Sequence, residues 1–205
     1  RTYNTFYHPS NMVLFAVGDI APEKVFMQAK AQFKEDLKEQ SEIERITYEE
    51  PKGVFQNEIR HKMPISRPIF AIGYKDIPIY RGGKELLKKI IVNGIVSDMT
   101  IGPTSDLYSE LYEKGLIDGS FSGGYTGEKD YSYMVLSGET RDVDLLVDEL
   151  QNGIEDIKRK GPDKDLFLQA KRGRIGRFIR YFDHIGGLGP LFVSLYIKES
   201  NLFDY

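Results

Sequence analysis

At 205 residues, 40% hydrophobic and 29% charged, the chain has the composition of a folded globular protein, large enough to bury roughly 70% of its unfolded surface. A formal charge of −3 offers no long-range attraction to nucleic acid or to an anionic membrane, and the lack of cysteine excludes disulfides, thiolate metal sites and thiol nucleophiles. No apolar run approaches the roughly 20 residues of a membrane span; a cytoplasmic location with no membrane or nucleic-acid partner is the expectation, and composition does not decide the compartment. Arg1 is not an initiator methionine, and the apolar Leu202, Phe203 and Tyr205 close the chain, so a fragment of a longer polypeptide is expected.

In chain order, Met12–Val17 is an unbroken apolar run between turn residues and reads as a buried strand. Pro22 and Glu23 suit a helix's first turn, and Val25, Ala29, Phe33 and Leu37 give that helix one apolar stripe. A charged connection from Ser41 to Lys52 follows. Val54–Met63 and Arg67–Tyr74 then read as two strands. Gly82-Gly83 opens a long helix whose Leu86, Leu87, Ile90, Ile91, Gly94 and Ile95 form a wide buried face. Gly102 to Ser105 restarts a shorter helix carrying Leu107, Tyr108, Leu111 and Tyr112, which Gly115 is placed to end.

Segments 119–126 and 131–138 read as a hairpin around Gly127-Glu128-Lys129-Asp130. Val143, Val147, Leu150, Ile154 and Ile157 mark an amphipathic helix. Gly161-Pro162 breaks to another from about Asp163 to Phe182, and Gly186 to Pro190 breaks to a last one. A hairpin mixed with helices predicts a single α+β domain over residues 1–205. Its architecture is a two-layer sandwich of a mixed, largely antiparallel sheet with helices on one face.

Chemistry-bearing residues are sparse. His8, His61 and His184 stand alone, and Glu58 and His61 fall on opposite faces of the expected strand, so no metal site and no catalytic residue is expected within the chain. No Gly-x-Ser-x-Gly elbow is present. Arg174 and Arg177 share a helical face with Arg180 or Tyr181; that face reads as a phosphate or carboxylate clamp, a solvated surface, or a contact to another domain.

Two stretches together carry a resemblance. Tyr7-His8-Pro9-Ser10-Asn11-Met12, followed by an apolar run, Gly18-Asp19-Ile20 and Pro22-Glu23-Lys24-Val25, resembles the opening of the second domain in the pitrilysin or insulinase family of zinc metallopeptidases. The run from Ser105 to Leu116 resembles that family's helix-and-turn segment, with the bacterial branch similar to mitochondrial processing peptidase nearest. The resemblance implies a domain with no cofactor of its own, zinc being carried by a missing upstream domain with a His-x-x-Glu-His motif. Implied partners are that upstream domain, a second peptidase half closing as a clamshell, and a peptide substrate.

The family's substrate-binding Arg and Tyr are matched here by Tyr112 and a position near Asp118, so the pair itself is not carried over. What remains as a peptide-binding surface is Tyr112 with Gly123, Gly124 and Tyr125 of the hairpin, whose aromatic residues also suit a core. Two roles stay open: a chamber wall for proteolysis by the zinc domain, or an inactive scaffold half of such an assembly.

Overall fold

The computed structural model describes residues 2–32, 43, 46, 48, 49 and 51–205. A short helix α1 (Thr2–Phe6) and a single 3-10 turn lead into the apolar run at Met12. Helix α2 (Pro22–Gln32) begins where the N–H groups of Lys24 and Val25 bond to the Ala21 carbonyl, with Glu23 in its first turn. Val25 and Ala29 are its half-buried stripe, while Phe33 and Leu37, like most of the Ser41–Lys52 connection, lie outside the described residues.

Three strands form the sheet: β1 (Ile69–Lys75), β2 (Ser122–Gly127) and β3 (Ser132–Glu139), in the order β1-β3-β2, with both pairings antiparallel. Phe70 lies opposite Gly138 and Ile72 opposite Leu136, while Gly123 faces Leu136 from the other side. Opposed residues share a face, so Phe70, Ile72, Leu136, Met134, Gly123, Tyr125 and Gly127 line one side of the sheet. Buried residues concentrate there, and the helices cover that side. Ile69, Ala71, Gly73, Tyr133 and Gly124 lie on the exposed side.

Helix α3 (Gly83–Ile101) crosses β2 and buries Leu86, Leu87, Gly94 and Ile95. Glycine at two inward positions of β2 permits this approach: a Cβ on Gly123 would collide with Ile101 and Leu136, and one on Gly127 would sit 2.6 Å from Ile90. Helix α4 (Asp106–Glu113) starts at Ser105, whose hydroxyl accepts the Tyr108 N–H at 3.2 Å. It stops at Gly115, whose φ of 65° lets the Leu116 N–H return to the Leu111 carbonyl.

Helix α5 (Val143–Lys160) is capped by Asp142, and Leu146 and Leu150 reach zero exposure in the core beside Leu107, Leu111 and Leu136. Helix α6 (Lys164–Arg180) is capped by Asp163 and packs on α3. Helix α7 (Ile185–Ile197) returns to the hairpin, where Lys198 donates to the Gly127 carbonyl at 2.9 Å and to Glu128 at 2.6 Å.

Three expectations are corrected. Met12–Val17 is not a buried strand: Met12 has extended angles, but the segment pairs with no strand among the described residues and Met12, Val13, Leu14 and Val17 are exposed. An apolar run favours extended backbone, but a strand also needs a ladder partner, and Phe15 instead stacks on Phe192 of α7 at 4.3 Å. Val54–Met63 is exposed and carries no strand; in that stretch β1 alone forms, from Ile69. Gly186 to Pro190 lies inside α7 and does not precede it. Pro190 removes one N–H early in the helix, and the stacking of Phe192 with burial of Leu195 retains the turn.

Leu146→Ala should lower unfolding stability by about 3–4 kcal/mol in urea titration, the range for a filled core leucine. Asp98→Ala should cost about 1–3 kcal/mol, since it strips Arg174 and Arg177 of α6 of their shared carboxylate on α3.

Candidate functional site

The residues expected to form one surface divide between two places. Tyr112 lies on the last turn of α4, 55% exposed, with its ring stacked on Tyr108 at 6.2 Å. It borders a pocket of about 290 Å³ whose walls come from the approach to β1 (Arg67), the end of α4 (Gly115, Ile117, Asp118) and the β3–α5 turn (Glu139, Thr140, Arg141). Gly123, Gly124 and Tyr125 lie farther along, on β2. Gly124 has no heavy atom within 4 Å of an added Cβ and opens to the uncovered side. β2 pairs only with β3 among the described residues, so its other edge is open.

Tyr125 points inward. Its hydroxyl donates to Asp76 at 2.6 Å, and Asp76 also holds the Lys89 ammonium at 3.1 Å. Lys89 donates in addition to the Pro78 carbonyl and sits over the Tyr80 ring. Burial, and then the carboxylate beside it, push the Tyr125 phenol up to about 12. Of the other hairpin aromatics, Phe121 is buried, while Tyr131 and Tyr133 are exposed and stack on each other at 5.9 Å.

In the pocket, Asp118 Oδ1 accepts from the Ser120 hydroxyl at 2.6 Å and from its N–H at 2.8 Å, while Oδ2 holds Arg67 at 3.1 Å. Ser120 foremost, with Arg67 adding, keeps this carboxyl below the usual range. Arg67 and Arg141 are functional candidates that sequence reading passes over. Each sits in an ordinary polar stretch, and no local pattern signals that segments 74 residues apart in number meet at one pocket.

In the arginine stretch of α6, Arg174 and Arg177 are paired within the fold, and Arg180 is exposed. Arg174 Nε faces Asp98 at 3.0 Å and Arg177 reaches the same carboxylate at 2.5 Å, with the Arg174 guanidinium lying against Gly94. A larger groove of about 860 Å³ between α3, α4, α5 and α6, with Val96, Met99 and Phe167 in its walls, holds none of the expected site residues.

His8 Nδ1 accepts from the Ser10 N–H at 3.3 Å and lies 2.7 Å from its hydroxyl. Among the described residues no three His, Asp or Glu side chains converge as metal ligands, so they do not fit a zinc ion. No described helix is long and apolar enough to cross a membrane.

This architecture is that of an M16-like peptidase domain. The chain is 29% identical to the crystal structure of an M16-like peptidase from Alicyclobacillus acidocaldarius, with a TM-score of 0.86, covering 96% of this chain and 47% of that one. A protease structure from Helicobacter pylori shares the fold at 20% identity and a TM-score of 0.76, over 97% of this chain and 48% of that one. The uncharacterized zinc protease YmfH of Bacillus subtilis (strain 168) is 32% identical over 203 residues, which is 98% of this chain and 47% of the relative.

Residues 1–174 match the family described as the peptidase M16 inactive domain, and the chain belongs to that family. It spans about half the length of the relatives it matches. The finer likeness to mitochondrial processing peptidase rests on the sequence motif alone.

In a spectrophotometric titration, one tyrosine should ionise near pH 12, and Tyr125→Phe should abolish that step. Because the folded phenol titrates above its ordinary value of 10.0, its contribution to stability should be complete below pH 10 and fade as pH rises toward 12. Denaturant melts of the two proteins at successive pH values check the sign.

Proposed function

We propose that this chain is the non-catalytic domain of a zinc-dependent peptidase and forms chamber wall and peptide-binding surface for hydrolysis at zinc held by a separate, upstream domain. The observation that carries this reading is the coverage: 98% of the chain aligns with only 47% of a zinc protease, while the matching family is that of the inactive domain. A second domain of similar size has room in such a protein. Residues 1–205 then act as one α+β unit of a longer, cytoplasmic polypeptide, which pairs with a second peptidase half around the substrate.

The edge of β2 away from β3, which meets no strand among the described residues, suits an extended peptide that gains main-chain hydrogen bonds by lying beside it. Gly124 leaves the outer surface of that strand unobstructed, and Tyr112 offers an exposed ring at the neighbouring pocket. Gly123 and Tyr125 contribute through β2's backbone, their inward sides being committed to Ile101 and Asp76.

The alternative role is an inactive scaffold half; Tyr112 and a position near Asp118 standing where the resembling family places its substrate-binding Arg and Tyr is compatible with both roles.

The chain alone should purify with sub-stoichiometric zinc and leave a fluorogenic peptide uncut, and adding the zinc-bearing part of the protein should start cleavage. One tightly bound zinc per chain in metal analysis overturns the proposal. A mixture that assembles and holds zinc but never cleaves supports the scaffold role.

A further inference from the structure

We propose that Glu199, two residues past the end of α7, is kept in a left-handed backbone conformation as a latch, whose carboxylate holds the β2–β3 turn to the end of α7 beside the start of α3. The latch concerns how the turn is held and stands apart from the peptide-binding reading.

Glu199 is the one non-glycine residue with a positive φ among the described residues, at 60°. Helix α7 closes with the Ser200 N–H returning to the Leu195 carbonyl and the Glu199 N–H to the Tyr196 carbonyl, each at 2.9 Å. Helix α4 ends in the same pair of bonds, from Leu116 to Leu111 and from Gly115 to Tyr112, and there the left-handed position is a glycine with a φ of 65°. A Cβ makes that conformation costly, so glycine is what the closure itself favours. The backbone of α7 gives no reason for Glu at 199, and the side chain supplies one.

Its carboxylate meets two elements. Oε1 accepts from the Lys129 ammonium, in the β2–β3 turn, at 2.6 Å. Oε2 comes so close to Gly82, at the start of α3, that an added Cβ would stand 2.9 Å from it. That helix start has no side-chain cap, and a negative charge beside it complements the helix dipole. Gly82-Gly83 therefore does more than open a helix. The first glycine leaves room for the carboxylate, and the N–H of the second donates to the Lys198 carbonyl at 2.7 Å.

Lys198 grips the same turn, donating to the Gly127 carbonyl and to Glu128. Lys198-Glu199 thus faces Glu128-Lys129 with the charges matched, and a slip of one residue would set like charges together. The Lys198 side chain is 14% exposed and that of Glu199 67%, so salt loosens the Glu199 grip before the Lys198 grip.

Hydrogen exchange of the 205-residue chain, followed by NMR, reads the latch at the Glu128 N–H, which bonds to the Tyr131 carbonyl across the turn at 2.8 Å. Glu199→Gln should speed exchange there about two- to fivefold, the scale of a partly exposed ion pair, and leave the amides in the middle of β3 unchanged. Glu199→Gly should speed Glu128 in the same way while slowing the Ser200 N–H, because glycine relieves the backbone as the carboxylate is lost. Lys198→Met should act more strongly, about tenfold or more, as expected for loss of charge-assisted hydrogen bonds. Lys129→Gln combined with Glu199→Gln should be no worse than either alone. The unsubstituted chain in about 1 M salt, where the screening length falls to about 3 Å, should approach Glu199→Gln.

Exchange at Glu128 that ignores Glu199→Gln, an effect spread equally over β3 and α5, or additive losses from the Lys129 and Glu199 variants overturns the latch. Slower exchange at both Glu128 and Ser200 in Glu199→Gly makes residue 199 a plain helix end and overturns it as well.

Discussion

Helix α3 lies close on the sheet above two missing side chains. Gly123 and Gly127 occupy the inward positions of β2 where the side chains of Ile101 and Ile90 press against the strand, and a methyl group at either would make those side chains shift. Much of the domain follows from that closeness. Because α3 ends at Ile101, on the sheet, Ser105 caps α4 within a few residues and directs Leu107 and Leu111 into the same core as Leu136, Leu146 and Leu150. The remaining turn of α4 then carries Tyr112 out to the pocket.

Charge organises the outer helices in the same manner, by internal pairing. Asp98 on α3 gathers Arg174 and Arg177 of α6, and Gly94 supplies the flat surface on which the Arg174 side chain rests. At the other end of α3, Lys89 joins Asp76 and Tyr125, tying the segment after β1 to β2. Beyond it, Lys198 and Glu199 fasten the end of α7 to Glu128 and Lys129 in the hairpin turn. A chain with 28 basic and 31 acidic residues thus uses much of its charge as clasps between elements.

What is left outward-facing is the part suited to other molecules. Among the described residues, one side of the sheet, the edge of β2 and the pocket at Tyr112 are uncovered, while the inner faces of the same strands are filled. On the function proposed above, that surface offers backbone and a few polar groups to an extended chain, and bond cleavage belongs to another part of the protein.

Local signals were legible in the sequence wherever one residue's covalent nature decides a local conformation. Ser105 and Asp163 mark helix starts through their side-chain oxygens, Gly115 and Gly161 mark ends through positive φ, and the Gly127–Asp130 turn marks the hairpin. The family motif around His8 and the Ser105–Leu116 segment carried the class of protein. Tertiary structure alone decided the rest, because it depends on partners distant in the chain. Met12–Val17 and Val54–Met63 have strand-like sequences without a ladder to join, and Pro190 sits in a helix because Phe192 finds Phe15. The α6 arginines look like a binding face until Asp98 is placed beneath them, and Arg67 and Arg141 look ordinary until the fold brings them to one pocket. Hydrogen-bond caps and turn angles are settled within four or five residues, whereas strand pairing, ion pairing and pocket formation are settled by which distant surfaces meet.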